Sequence, residues 1–590
     1  MMKSRNLLAF ALGTALAFSG IIFANASTST DESWSIPNDV RDGSTGVLFQ
    51  DNSIGNFPSF LFDNSKSQEV GVNPTCTGTQ DPSCPLSSYH YSAVIPVCTN
   101  AISIDCISEF GAVDSLGNRI GGNFNRYFPP KAENEYVGNP TWGLPSGTSG
   151  SLFTIPGVTH SGGDQFYVNV TLSGNGTSSS GSGDSTLSGF SAFISPVQLQ
   201  PLVVCGNANC PNAGYANVDP NSGGKYGLQG PGYDGVHNCR AVSTHESLCA
   251  QRFGFPKDFS YYLTVKLSRS PSGWLHGRMS DPNIVISKDG GIITLGLQGT
   301  PITVPIVYAA YLYADMPQAL KDVYDVTTGS FKGGSGGGMS RHCCTIPSDP
   351  KIRNITSAPS PSGASGISEL KAWLPYVDDK ATAAMSTWSV RTLTSQEQNG
   401  SNSCFKSASS VTGIVTTNST EYSAGPPAFE DSSGTLTYQV AAPHFMPSGD
   451  VFKGNYDLVM RSDVARCVYG FSKAPVSASI SVSSADGSNE VATTMLGENN
   501  GWLHLRASNF EFSSPTINVK LTQEAPAPVA TPPSVETPQA SSSPVPAAKL
   551  PSPQAKKTNP KMIKIACIKG SVTRFVVATK PICPLGYKKK

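Results

Sequence analysis

Charge is scarce in this 590-residue chain: Asp, Glu, Lys and Arg together make up 14% of it, against roughly 25% in an average soluble protein. Ser, Thr, Gly and Asn take their place, as in all-β extracellular proteins with many turns. Long apolar runs are missing after the first 26 residues; none approaches the ~18 needed for a spanning helix, which excludes a membrane span in the mature chain. Acid is missing from the C-terminus: Lys549 to Lys590 holds eleven Lys or Arg and no Asp or Glu. The formal net charge of zero therefore hides a dipolar chain, with an acidic body and a basic tail suited to an anionic polymer. A simpler role for those lysines is to keep a tail solvated. No paired carboxylates, phosphate-binding glycine loop or nucleic-acid motif stands out, so neither a cofactor nor a nucleic-acid partner is expected.

The first 26 residues read as a signal peptide. Lys3 and Arg5 give the positive region, Leu7 to Phe23 the apolar region, and Ala24-Asn25-Ala26 the cleavage site. No Cys follows for lipid attachment. Leu550-Pro-Ser-Pro-Gln lacks the Thr-Gly and apolar tail of a sortase signal. The expected destination is extracellular or the cell wall.

Fourteen cysteines in an exported chain imply seven disulfides. They fall in even groups. Cys76, Cys84, Cys98, Cys106, Cys205, Cys210, Cys239 and Cys249 lie in the N-terminal half, Cys343, Cys344, Cys404 and Cys467 in a second region, and Cys567 and Cys583 in the tail. Short separations favour Cys76–Cys84, Cys98–Cys106, Cys205–Cys210 and Cys239–Cys249. Cys404 and Cys467 are available as separate partners for Cys343 and Cys344.

At this length two or three domains are expected. The predicted class is all-β: two disulfide-stapled β-sandwich-like regions, a Pro-rich tether and a small C-terminal hairpin module. Residues 27–330 form the first region, 331–340 a Gly-rich linker, 341–524 the second β-domain, 525–562 a Pro/Ala/Ser-rich tether and 563–590 the basic two-Cys module. Strands are expected at 166–172, 262–267, 284–286, 292–295, 435–440, 456–460, 478–482 and 516–521. Asp289-Gly290-Gly291 and Asp486-Gly487 mark turns. Gly174 to Gly189 reads as a mobile Gly/Ser loop. The best helix begins at Asp315 as N-cap, with Pro317 in its first turn, and runs to Tyr324; little other helix is expected. The tether, about 36 residues at ~3.1 Å each, reaches up to roughly 110 Å.

Gly273-Trp-Leu-His-Gly-Arg-Met-Ser280 matches Gly501-Trp-Leu-His-Leu-Arg-Ala-Ser508, which predicts an internal repeat of two related sandwiches. Trp274 with His276, and Trp502 with His504, would form two equivalent ligand sites. On the alternative reading each Trp fills a core while His and Arg face solvent.

Other motifs carry less. Gly333-Gly-Ser-Gly-Gly337 fits a nucleophile motif, yet lacks the flanking strand and helix of an elbow. His245-Glu246-x-x-Cys249 lacks the second His of a zinc-protease helix. Arg341-His342-Cys343-Cys344 offers soft metal ligands, but an oxidising compartment favours disulfides there. No metal site is expected.

The tail, Cys567-Ile-Lys-Gly570 through Lys580-Pro-Ile-Cys-Pro-Leu-Gly-Tyr-Lys-Lys-Lys590, resembles the C-terminal segment of secreted and cell-surface proteins of actinobacteria. Residues 367–523 resemble a module of exported actinobacterial proteins, through Ala441-Ala-Pro-His-Phe445, the stretch Arg461 to Phe471, and Gly501-Trp-Leu-His504. The resemblance implies export and surface residence, and no activity. In the tail, Lys564, Lys569, Arg574, Lys580, Lys588, Lys589 and Lys590 are the candidate contacts to a cell-wall polymer or extracellular glycan. A non-enzymatic binding or structural role is expected, with a secreted polysaccharide hydrolase as the alternative.

Overall fold

The computed structural model describes residues 31–523, apart from 33, 35–43, 52–57, 65–74, 131–134, 203–238, 244, 326–330, 333–337, 341–354, 358–363, 400, 408–409, 424, 472–475, 484–488, 491–492 and 513–515, and in the tail residues 563–569, 572–578 and 588–589. The fold is all-β with disulfides. Residues up to Pro526 form one compact unit and those from Ala527 a second.

Each stretch expected as a strand lies within one. Alternation accounts for this where one face is buried: in Ser260–Leu267, Tyr261, Leu263, Val265 and Leu267 are at most 1% exposed, while Thr264 and Lys266 are partly open. At Asp289-Gly290-Gly291 the two glycines take φ of 53° and 90°, joining Ser280–Asp289 to Ile292–Thr300 as a hairpin. Asp486-Gly487 lies outside the described residues.

The Gly174–Gly189 stretch is not a loop. It lies within two long paired strands, Gln165–Ser179 and Ser182–Pro201. They turn at Ser180 and Gly181, both at positive φ. The glycines make room for rings: a Cβ on Gly176 would collide with Tyr89, and one on Gly183 with Trp142. Both aromatic side chains are buried there.

The expected helix at 315–324 is shorter, Gln318–Asp322, with Pro317 rather than Asp315 at the cap position. Pro317 is extended, with ψ 138°, so the helix starts only after it. Two further helices were not expected. Ala364–Trp373 buries Ile367, Leu370 and Trp373, three residues apart on one face. Ser462–Tyr469 ends at Gly470, whose left-handed backbone lets its N–H reach the carbonyls of Arg466 and Cys467.

The 27–330 and 341–524 regions do not form separate sheets. Gly273–Arg278 lies between Ala383–Thr392, antiparallel, and Val411–Thr417, parallel. Ile302–Leu312 also pairs with Ala383–Thr392. The physical reason is burial: every residue from Gly273 to Arg278 is buried, so this strand needs neighbours on both edges and cover on both faces. The main sheet runs Thr493–Asn499, Trp502–Glu511, Lys453–Arg461, Val411–Thr417, Gly273–Arg278, Ala383–Thr392, Ser182–Pro201, Gln165–Ser179, Ser88–Val94 and Phe60–Asp63.

Two smaller sheets cover it. A five-stranded sheet contributes Phe110, Tyr261, Leu263, Ile284 and Leu297 to one core, where they meet Phe166, Val168, Ile194, Leu275 and Val390 of the main sheet. A second sheet contributes Tyr438, Val440, Val482, Val519 and Leu521 to another core, with Trp274, Val415, Leu458 and Leu503. Successive residues Trp274 and Leu275 enter different cores, so around this strand the main sheet is the middle of three layers.

The repeat is local only. Gly273 and Gly501 share a positive φ, 74° and 80°, and each opens a Trp-Leu-His strand. Both strands belong to one sheet, however, and Trp274 enters the core that Leu503 enters, whereas Trp502 enters the other. Two duplicated sandwiches are therefore not present.

Cys76–Cys84, Cys98–Cys106 and Cys239–Cys249 are bonded as expected. Cys404 bonds Cys467, so these two are not the partners of Cys343 and Cys344. The cause is the Ser462–Tyr469 helix, which brings Cys467 to the short turn Ser403–Phe405 at a Cα separation of 5.8 Å. Cys205, Cys210, Cys343 and Cys344, and the side chains of Cys567 and Cys583, lie outside the described residues. In the tail, Ile563–Lys569 and Val572–Ala578 pair antiparallel as expected, and Lys588–Lys589 adds a third strand beside the first.

Candidate functional site

The five-stranded sheet runs Ser280–Asp289, Ile292–Thr300, Ser260–Leu267, Cys106–Val113 and Arg119–Gly121, all antiparallel. Its apolar positions point into the core just described. Period-two alternation sends the intervening residues to the outer face. Register then builds two rows across it. Asn283, Gln298, Tyr262 and Gly111 align in one row; Val285, Gly296, Thr264 and Glu109 align in the next.

Glycine shapes both rows. Gly111 lies beneath Tyr262, and a Cβ there would meet its ring and hydroxyl. Gly296 leaves the next row open: the nearest atoms to a Cβ would be Val285 and Thr264, 3.8–4.0 Å away. The result is a groove of about 270 Å³ floored by Gly296 and walled by Arg119, Tyr262, Asn283, Val285 and Gln298.

Arg119 covers Tyr262, its guanidinium 3.7 Å from the ring centroid, and donates to Glu109 at 3.2 Å. The Thr264 hydroxyl donates to the same carboxylate at 3.3 Å. Burial pushes the Tyr262 phenol above its ordinary pKa, with Arg119 opposing. Val285 is 56% exposed. The groove thus offers two side-chain amides, a guanidinium, a carboxylate and an exposed aliphatic surface. This set matches a ligand with many hydroxyls: amide and charged planar groups each bond two hydroxyls, and apolar atoms pack against C–H faces.

The Trp–His positions build something else. Trp274 is fully buried and meets Phe405 edge-on, with centroids 5.0 Å apart. His276 is 3% exposed and stacks on Tyr422, 3.9 Å and nearly parallel. The expectation that His and Arg would face solvent fails at this strand, because both of its faces are covered. Burial, then Arg278 and Arg391, drive His276 well below its ordinary pKa, so it stays neutral. Arg278 pairs with Asp51 and donates to the carbonyls of Thr417 and Ser419 at 2.8 and 2.6 Å. Arg391 holds Glu397 with two bonds of 2.8 and 2.7 Å. Glu421 is fully buried with neither carboxyl oxygen bonded, and burial raises its pKa well above normal. At the second copy, Trp502 is buried while His504 is partly open and held below its ordinary pKa by burial. The two copies are not equivalent ligand sites.

Of the other motifs, Cys249 is in a disulfide and Glu246 pairs with Arg126 at 2.6 Å, so His245-Glu246-x-x-Cys249 has no free thiolate. Residues 333–337 and 341–344 lie outside the described residues. In the tail, register brings Arg574 and Lys589 to either side of Cys567. Lys564 and Lys569 lie on that same central strand, and Lys588 and Lys589 are exposed. Lys580 and Lys590 lie outside the described residues.

The outer-face residues Arg119, Tyr262, Asn283 and Gln298 were not singled out from the sequence. Their signal was present as polar residues alternating with apolar ones over 260–300, but partners 150 residues apart meet only through strand register. No protein-family model matches this chain, and no curated protein matches it in sequence.

Proposed function

We propose that this chain is an exported surface protein that binds a hydroxyl-rich polymer, an extracellular or cell-wall glycan, on the outer face of its five-stranded sheet, without catalysis. The observation that carries the reading is the groove itself. Planar polar side chains on flat, rigid strands surround a floor kept low by Gly296, and rigid elements position binding groups well. Disulfides bonded among the described residues fit an oxidising compartment. The hydrolase reading has less support at this face. Hydrolysis by two carboxylates needs them roughly 5–9.5 Å apart across the bond; the carboxylate beside this groove, Glu109, already holds Arg119.

The test is retention of the full chain on insoluble cell-wall polysaccharide, compared with an Asn283→Ala/Gln298→Ala variant. Loss of retention, at unchanged melting temperature, is expected. Equal retention of the two proteins overturns the reading.

The tail supports a second, electrostatic contact to an anionic wall polymer. Exposed charges act through screened attraction, and the screening length falls to roughly 3 Å near 1 M salt. The full chain should sediment with isolated walls at low salt and be partly released near ~1 M salt. A variant with Lys564, Lys569, Arg574, Lys580, Lys588, Lys589 and Lys590 replaced by Gln should lose that salt-sensitive fraction. No difference between the two excludes the tail.

A further inference from the structure

The outer-face groove has a hollow in its floor, at Gly296. Register sets Gly296 between Val285 on one neighbouring strand and Thr264 on the other. A Cβ on Gly296 would find Val285 at 3.8 Å and the Thr264 hydroxyl at 4.0 Å. These are ordinary contact distances, so the missing side chain leaves space that ligand atoms can fill without moving the protein. One flank of the hollow is apolar: Val285 is 56% exposed, and covering it removes apolar surface from water.

Polar groups stand at both ends of it. Gln298 and Thr294 lie two residues to either side of Gly296 on the same strand, so all three share a face. Asn283 lies opposite Gln298 on the next strand. Among the described residues, the side chains of Asn283, Gln298 and Thr294 have no hydrogen-bond partner. Arg119 is the one charged side chain lining the groove, and Glu109 holds it at 3.2 Å. The wall therefore calls for no charge on the ligand. It calls for hydrogen-bonding atoms at two opposite ends and an apolar group at one side.

Resting on the glycan-binding reading above, we propose that the hollow over Gly296 receives the acetamido group of an N-acetylated amino sugar, so that the polymer bound here is an acetamido glycan. A trans amide carries its N–H and its C=O on opposite edges. Over Gly296 one edge faces Gln298 and the other Thr294, and each residue can donate or accept. The acetyl methyl packs against Val285. A bare hydroxyl in the same place reaches one end only, leaving the other polar group unmatched and Val285 wet. Asn283 remains for a ring hydroxyl. The groove, about 270 Å³, lies near the lower limit of ligand sites, roughly 300 Å³, which suits a short stretch of the polymer.

The test is calorimetric titration of the full chain with chitotetraose, the N-acetylglucosamine tetramer, and with cellotetraose, the same chain with a hydroxyl in place of each acetamido group. Chitotetraose should bind roughly tenfold or more tightly. Gly296→Val fills the hollow and should bring chitotetraose down to the level of cellotetraose. Should Gly296→Val fail to fold, Val285→Ser, at an exposed side chain, decides: it should narrow the preference several-fold. A preference that survives the folded Gly296→Val, or Val285→Ser where that variant decides, overturns the proposal. Equal affinity for the two tetramers, lost in both on Asn283→Ala/Gln298→Ala, overturns the acetamido site and leaves glycan binding in the groove standing. No binding of either tetramer overturns both.

Discussion

Arg119 and Arg278 have the same company: each pairs with a carboxylate and lies over a tyrosine ring. Arg119 takes Glu109 and sits 3.7 Å from Tyr262; Arg278 takes Asp51 and sits 4.8 Å from Tyr422. The first arginine side chain is 54% exposed and the second 2%. At the surface, water shares the charges and the pair is worth little, but its atoms remain free to turn toward a ligand. In the interior the pair is locked to carbonyls of Thr417 and Ser419 and cannot leave. One chemical group thus serves recognition in the first place and architecture in the second, and only burial distinguishes them.

The sharpest way to break that comparison is to remove each arginine in turn. Arg278→Ala breaks a buried ion pair and should cost about 3–5 kcal/mol, read from denaturant unfolding. A loss below ~1 kcal/mol would mean that water reaches the pair. Next come the disulfides on the two sides of the main sheet. Cys404→Ser/Cys467→Ser opens a link between residues 63 apart, and Cys98→Ser/Cys106→Ser one between residues 8 apart. Loop entropy assigns these about 4 and about 2.5 kcal/mol. The reverse order of the two melting temperatures would show that strain, not loop length, governs them.

A smaller effect belongs to Asp457. Burial raises its pKa to about 7, with Arg506 opposing from 3.5 Å. A carboxyl whose folded pKa lies above its unfolded value favours the folded state in its protonated form. Its contribution is full below the unfolded pKa near 4 and is lost as pH rises through 7. Between pH 5 and 7.5 stability should therefore fall by on the order of 2 kcal/mol from this group. Asp457→Asn should flatten that slope in melting temperature measured across the range; an unchanged slope would assign the titration elsewhere. Smallest of all, Arg119→Ala should change stability by less than ~1 kcal/mol, while weakening retention on wall polysaccharide several-fold. A large stability loss instead would make Arg119 structural.

The strands were legible because their alternation is local, as in Ser260–Leu267, where every second residue is apolar. The Gly290–Gly291 turn and the tail hairpin were legible for the same reason. What escaped the sequence depends on contacts across the fold. The glycines of 174–189 read as flexibility, yet they accommodate Tyr89 and Trp142, which lie far away along the chain. The Ser462–Tyr469 helix was hidden in a stretch valued for its motif, although Gly470 is a recognisable helix stop. His276 and Arg278 looked solvent-facing because the Val411–Thr417 strand and the second covering sheet are not visible from residue 273. The groove escaped for a related reason: Glu109 and Thr264 become neighbours only through register.

The placing of Gly273–Arg278 sets a clock for the newborn chain. This strand cannot be sealed until Val411–Thr417 has been made, roughly 140 residues later. At ~5–20 residues per second the wait is roughly 7 to 28 s, during which a strand built for complete burial keeps at least one edge open. A chain that stops near residue 330 never passes that interval. It keeps an open, apolar edge able to pair with any strand it meets, so fragments of the first half should aggregate where the whole chain folds.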